Sequence, residues 1–208
     1  MTLISVIFVL LFSASSSWNP FGRLKRNYVS FSNTVDDKYV DHHFMSLALE
    51  EARTAASKGE VPIGAILVEQ LEPSSKEKRY RILSRAGNKV ERKNDASAHA
   101  EMQVLRDGAK RKNNWRLMNT TLYSTLEPCP MCLSACQAFR LPKLVYGAPD
   151  LRLGAVETHL HLLDIVHPFH NISTVVDGVG AEESANMLKV FFRKRRSQGR
   201  RDEKRKKR

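Results

Sequence analysis

Two short motifs limit what this chain can fold into more than anything else in it: "SAHAEM" at residues 97–102 and "TLEPCPMCLSAC" at 125–136. By itself, a histidine and a glutamate one residue apart fits a solvated helix end as well as a reaction site. The Pro-Cys-x-x-Cys element changes that, because cysteines so spaced at a helix start can turn both thiolates toward one ion, and a neutral imidazole is a good third zinc ligand. Glu101 and Cys129 are separated by 27 intervening residues (129 − 101 − 1). The fold must therefore bring two distant helix starts to one point. His99, Cys129 and Cys132 are the expected ligands of one zinc per chain, which leaves a fourth position for water. Glu101 is too close to His99 to coordinate as well, so its natural role is to carry protons.

Length and composition allow a single enzyme-sized domain: 208 residues at 42% hydrophobic content can bury a substantial core. The three cysteines provide no disulfide framework, since the motif claims two of them. Cys136, one helical turn beyond Cys132, reads as a buried small apolar residue.

The formal charge of +12 is concentrated at the ends. Residues 193–208 hold eleven Lys or Arg against Asp202 and Glu203, or +9, and Arg23, Lys25 and Arg26 give +3 to an acid-free first 35 residues. Residues 36–192 then carry 34 − 14 = 20 basic and 22 − 2 = 20 acidic groups. A neutral body excludes a domain-wide polyanion surface, so attraction to phosphate falls to the tail and to local patches. The tail, 197–208, is expected to be basic and disordered.

Residues 1–35 read as a targeting presequence. "LISVIFVLLF" is too short an apolar run to span a bilayer and is followed by the small residues "SASSS", as in a signal peptide. "WNPFGRLKRNYVSFSNTV" is hydroxyl-rich, basic and acid-free, as transit peptides are. The combination resembles the bipartite presequences of proteins imported into plastids with extra membranes, and implies no stable membrane association after processing. Secretion and mitochondrial import are the alternatives.

The expected domain, 36–196, alternates its elements. An apolar stripe through Phe44, Leu47, Ala48, Ala52 and Ala55 predicts a helix ending near Gly59. "VPIGAILV" and "YRILSRAG" read as strands joined by a polar hairpin connection at about 69–79. Ser97 is placed to cap the helix carrying His99 and Glu101. "TLYSTL", the cysteine helix, "KLVYGA", a helix through "HLHLLDIV", a strand through "ISTVVDGV" and a last helix over about 181–196 follow. The order α-β-β-α-β-α-β-α-β-α implies an α/β fold, a mixed, mostly parallel five-stranded sheet between helical layers. Both ligand helices are expected at the ends of neighbouring strands, with their N-terminal amides favouring thiolates. His42, His43, His159, His161, His167 and His170 lack partners at metal spacing and read as surface or structural residues.

"EVPIGAILV", "AGNKVERKNDASAHAEM", "TLYSTLEPCPMC", "VYGAPD", "HPFH" and "FFRKRR" together resemble bacterial-type tRNA adenosine deaminases, in order, over about residues 40–196, and "GAPD" with "HPFH" resembles plastid members most. The resemblance implies a three-layer α/β/α cytidine-deaminase-like fold, a homodimer, and hydrolytic conversion of the wobble adenosine to inosine in a tRNA anticodon stem-loop. It implies that His99, Cys129 and Cys132 bind zinc while Glu101 shuttles protons. It further implies that Asn88 contacts the base, Val61 walls its pocket, the Ala100 amide faces it, Pro128 shapes the metal site and Asp150 lies near the RNA backbone. Pro149 stands where the family has a basic residue, and the 69–79 hairpin is longer than in compact bacterial members. Two other functions fit less well. A deaminase of a free base or nucleoside has no use for the last helix and basic tail, and a non-catalytic zinc-containing RNA-binding subunit has no use for Glu101.

Overall fold

The segment "GAILV" decides how the sheet is covered. Its side chains alternate, so Ala65 and Leu67 enter one apolar cluster while Ile66 and Val68 enter another on the opposite face. Both faces are therefore buried. In the computed structural model, which describes residues 28–72 and 76–206, this strand is β2 (Gly64–Gln70), central in a six-stranded sheet of order β1-β3-β2-β4-β5-β6.

Helix α1 (Asp37–Ser57) covers one face, and Asp36 caps it by accepting the Lys38 N–H at 3.1 Å. Its buried stripe, Val40, Phe44, Met45, Ala48 and Leu49, packs on Ile66, Val68, Tyr80, Tyr123 and Val145. At Gly64 the helix backbone comes so close that a Cβ would lie 2.1 Å from the Ala48 carbonyl oxygen, so only glycine fits. The other face carries α3 (Ala100–Lys112) and α4 (Pro130–Ala138), whose Val104, Leu105, Leu133 and Cys136 close over Leu67, Leu83, Leu122 and Leu144. Cys136 is fully buried there.

Strand directions explain the position of the site. β2 is antiparallel both to β3 (Glu77–Gly87) and to β4 (Thr120–Leu126), so β3 and β4 run the same way although β2 lies between them. β5 (Lys143–Ala148) and β6 (Thr174–Val176) continue parallel to β4. Helices α3 and α4 therefore both begin at one edge, beyond the carboxyl ends of β3 and β4. These strands are not neighbours, contrary to the expectation from the element order.

Other expectations change too. The sheet has six strands rather than five, and three of its five pairings are antiparallel. The added strand, β1 (Tyr28–Ser32), lies in the segment assigned to the presequence. It pairs with Tyr28↔Arg81 through Ser32↔Glu77, so the long hairpin extends β3 far enough to seat another strand. Phe31 locks it down by edge contacts with Tyr39, His43, Phe44 and Tyr80. The signal-like run and its cleavage motif lie outside the described residues. "HLHLLDIV" forms only a 3₁₀ turn at Leu162–Asp164, and a short helix, α2 (Val90–Lys93), precedes α3. The last helix, α5 (Ala181–Lys206), runs ten residues past Arg196, so the segment expected to be disordered is helical as far as Lys206. Arg and Lys are strong helix formers, so a basic run can continue a helix. Among the described residues no helix is long and apolar enough to cross a membrane.

Candidate metal centre and active site

His99 and Cys129 occupy equivalent places, each the N-cap of its helix with extended backbone, and Cys132 lies in the first turn of α4 behind Pro130. Proline at the first helical position is preset for the turn that aims both cysteines one way. Nδ1 of His99 is 3.6 Å from the Cys129 sulfur and 3.5 Å from that of Cys132, and the three ligand atoms lie within 4.8 Å of one another. Zinc–sulfur and zinc–nitrogen bonds of about 2.3 and 2.05 Å at a tetrahedral angle give an S···N edge of about 3.6 Å. The residues fit a zinc ion. Two helix N-termini meeting at the site add positive potential. The Cys129 thiol is pushed down to about 4, first because it accepts from Cys132 and, against the opposing effect of burial, because His99 also stabilises its thiolate. Donation to Cys129 and burial hold Cys132 above the usual thiol range, and the Cys129 contact raises His99.

Ser97 does not cap α3. Its N–H and hydroxyl both bond Asp95 at 2.8 Å, in a turn preceding the helix. His99 is held instead through Ala98, whose carbonyl accepts from Lys89 N–H at 3.0 Å and from the Gln103 amide at 3.2 Å. Gln103 also bonds the Gly87 carbonyl at 3.0 Å, tying the end of β3 to the ligand segment.

Glu101 lies in the first turn of α3, 4% exposed, with Ser124 of β4 at 3.2 Å. Burial pushes its carboxyl above the ordinary value, against the opposing pull of its own backbone N–H and of His99. A proton is therefore easier to keep on this group than on an exposed glutamate.

The remaining expected residues line the same edge. Asn88 is buried after β3 and donates to Glu60 at 3.3 Å. Val61, half-buried, directly follows Glu60. Ala100 is fully buried, and its amide is among those at the start of α3 that have no intrahelical acceptor. Pro128 is buried with its carbonyl accepting Ala155 N–H at 3.0 Å. Asp150 is half-buried in the loop after β5, and its carboxylate caps its own turn at Arg152 N–H, 3.0 Å. The six other histidines are absent from the metal-binding cluster. His43 packs between Phe31 and Phe44, and His170 lies 2.8 Å from the Leu141 carbonyl.

Three buried polar residues escaped sequence reasoning. Glu60, fully buried, accepts from Glu91 and Arg92 N–H groups and from Asn88. Ser124 and Glu127 flank the strand end. The available signal was a carboxylate or hydroxyl set in an apolar run, as in "GEVPIGA" and "TLEPCP".

Residues 38–148 match the family described as the cytidine and deoxycytidylate deaminase zinc-binding region. The sheet, the His–Cys–Cys cluster and this family match thus define a zinc-dependent deaminase. The tRNA-specific adenosine deaminase of Bacillus subtilis is 43% identical over 156 residues, 75% of this chain and 91% of that one. That of Haemophilus influenzae is 40% identical over 158 residues, covering 76% and 86%. The chloroplastic tRNA(adenine(34)) deaminase of Arabidopsis thaliana is 41% identical over 176 residues, 77% of this chain, which spans only 13% of that relative's length. A solved structure from work on A-to-I editing by tRNA:A34 deaminases superposes with a TM-score of 0.61 at 40% identity, over 70% of this chain and 99% of that one. A guanine deaminase from Nitrosomonas europaea, 19% identical with a TM-score of 0.55 over 72% of this chain and 83% of that one, shares the fold. The chain belongs to the tRNA-specific adenosine deaminase family.

Proposed function

We infer that the chain hydrolyses the wobble adenosine, position 34, of a tRNA anticodon to inosine, releasing ammonia. The observation that carries this is the buried Glu101, two residues beyond His99 of a His–Cys–Cys cluster that can hold zinc, in a chain about 40% identical to tRNA-specific adenosine deaminases. His99, Cys129 and Cys132 would hold a zinc ion, which would supply the acidity that makes a water a nucleophile at neutral pH. Glu101 takes the proton that the attacking water gives up and delivers it to the purine ring as oxygen adds at C6. Glu101 then relays the proton of the new C6 hydroxyl to the amino group, the C6–N bond breaks as the C6 carbonyl forms, and ammonia departs. Asn88, held by Glu60, and the Ala100 amide orient the base, with Val61 and Pro128 as walls that exclude water.

The substrate is held at two scales. The pocket takes one base, while exposed Arg193, Lys194, Arg195 and Arg196 on α5 meet phosphates beside it; Arg195 approaches Glu91 of α2 at 4.0 Å, near the Asn88 segment. Asp150 orders the loop at the other side of the base. A homodimer is favoured by the exposed Ile165, Val166 and Phe169, which sedimentation of the purified protein tests. Plastid import is favoured by the chloroplastic relative and by the leader composition, with cleavage ahead of Tyr28 so that β1 is kept. A fluorescent fusion of residues 1–35 that reached the secretory pathway or mitochondria instead would refute it. The function itself is tested by incubating the purified protein with total tRNA and analysing nucleosides. Inosine at position 34 is the expected product, and turnover of free adenosine or cytosine with tRNA untouched would overturn the reading.

A further inference from the structure

Glu127 stands two residues ahead of Cys129 and is 1% exposed. Every donor recorded on its carboxylate comes from one loop. Oε1 accepts the N–H groups of Val156, Glu157 and Thr158 at 3.1, 2.9 and 3.0 Å, and Oε2 accepts Asp150 N–H at 3.0 Å and the Thr158 hydroxyl. The loop is also moulded to the carboxylate sterically: a Cβ on Gly154 would lie 2.2 Å from Oε2 and 2.4 Å from Cδ. On either side of it, Glu127 N–H bonds Ala148 and Ala155 N–H bonds Pro128, at 2.8 and 3.0 Å.

The outer surface of that loop faces away from this anchor. Leu151, Arg152 and Leu153 are exposed, and the Arg152 guanidinium lies 5.8 Å from the ring centroid of Phe192, immediately before the exposed basic run of α5. One buried carboxylate therefore ties the strand leading to the metal ligands to a loop that adjoins the basic helix.

We propose that Glu127 is a positioning residue for RNA: it holds the 150–158 loop in the shape that receives the substrate backbone beside the metal centre. This rests on the tRNA reading above. Nothing in the chemistry passes through Glu127; it acts through the loop. Its carboxylate form matters because both oxygens must accept. An amide can satisfy the three N–H groups on one side, but its NH₂ would then face the Asp150 N–H, leaving that donor unpaired and the Asp150 end of the loop released.

The test uses the full chain and an anticodon stem-loop RNA. Glu127→Gln should raise KM and the directly titrated Kd about tenfold while kcat and the zinc content per chain stay near wild type. Gly154→Ala strains the same contact from the loop side and should do likewise. The double variant should fall short of the product of the two single effects, because both act on one contact. Thr158→Val, which removes only the hydroxyl donor, should give a smaller rise and keeps the question answerable if a stronger variant does not fold. Unchanged KM and Kd in variants with lowered Tm would reduce Glu127 to a structural role and overturn the proposal. Loss of zinc with collapse of kcat would overturn it also, by assigning Glu127 to the metal site. A wild-type protein that binds the RNA without converting it would overturn the deaminase reading while leaving the Kd comparison decisive for Glu127; one that does neither would overturn both.

Discussion

The hydroxyl of Ser124, on β4, lies 3.2 Å from Oε1 of Glu101, on α3, and 2.8 Å from the carbonyl oxygen of Leu126. One hydroxyl proton cannot serve both acceptors. When Glu101 is ionised, Ser124 can donate to it; when Glu101 is protonated, the carboxyl donates to Ser124, which turns its own proton to Leu126. A single serine can thus accommodate both protonation states of the group proposed above to carry protons.

Substituting Ser124→Ala should lower kcat roughly fivefold with little change in KM, since one hydrogen bond of about 1 kcal/mol is removed from the proton carrier and none from the RNA surface. Steady-state kinetics on the stem-loop check this. A rise in KM alone would place Ser124 with substrate binding instead.

Glu101→Gln should keep the fold and about one zinc per chain while deamination falls by about 10²–10⁴. The amide nearly matches the carboxyl in size but cannot exchange a proton. Metal analysis beside an inosine assay decides it, and a variant that loses zinc would contradict the assigned role.

Acid should weaken the hairpin end of the sheet through Glu69. Burial pushes this carboxyl up, but hydrogen bonds from Lys112 and Arg81 outweigh it, so its folded value is lower than the ordinary 4.5. A depressed folded value means that the stabilisation is complete above the unfolded value and is lost as pH falls through the folded one. Glu69→Gln should therefore cost about 1–3 kcal/mol near neutrality and flatten the decline of stability below about pH 5. Urea unfolding of both proteins across that range measures the difference, and parallel curves would rule out the linkage.

Removing residues 199–208 takes away seven basic and two acidic groups, a net loss of five positive charges, and shortens α5. tRNA binding should weaken and its salt dependence should flatten, because each phosphate contact contributes a slope of about −0.7 to −0.9. At saturating tRNA the rate should be nearly unchanged. An unaltered salt slope would show that this part of the helix meets no phosphate.

By itself the sequence determined the chemistry. Ligand types, the Pro-Cys-x-x-Cys spacing and the carboxylate beside His99 are local facts, and metal preference and proton transfer depend on such facts. The element types near the site were legible for the same reason: apolar period, proline and glycine act over a few residues. Strand order and direction were not. That β3 and β4 run alike across β2, that Tyr28–Ser32 leaves the leader to join the edge, and that "HLHLLDIV" closes as a 3₁₀ turn are outcomes of pairing between segments far apart in sequence. Only the tertiary structure could also assign Glu60, Ser124 and Glu127, each buried with partners some 20 to 30 residues away. A buried polar group is stable only where a distant donor or acceptor arrives to meet it, and no local pattern encodes that arrival.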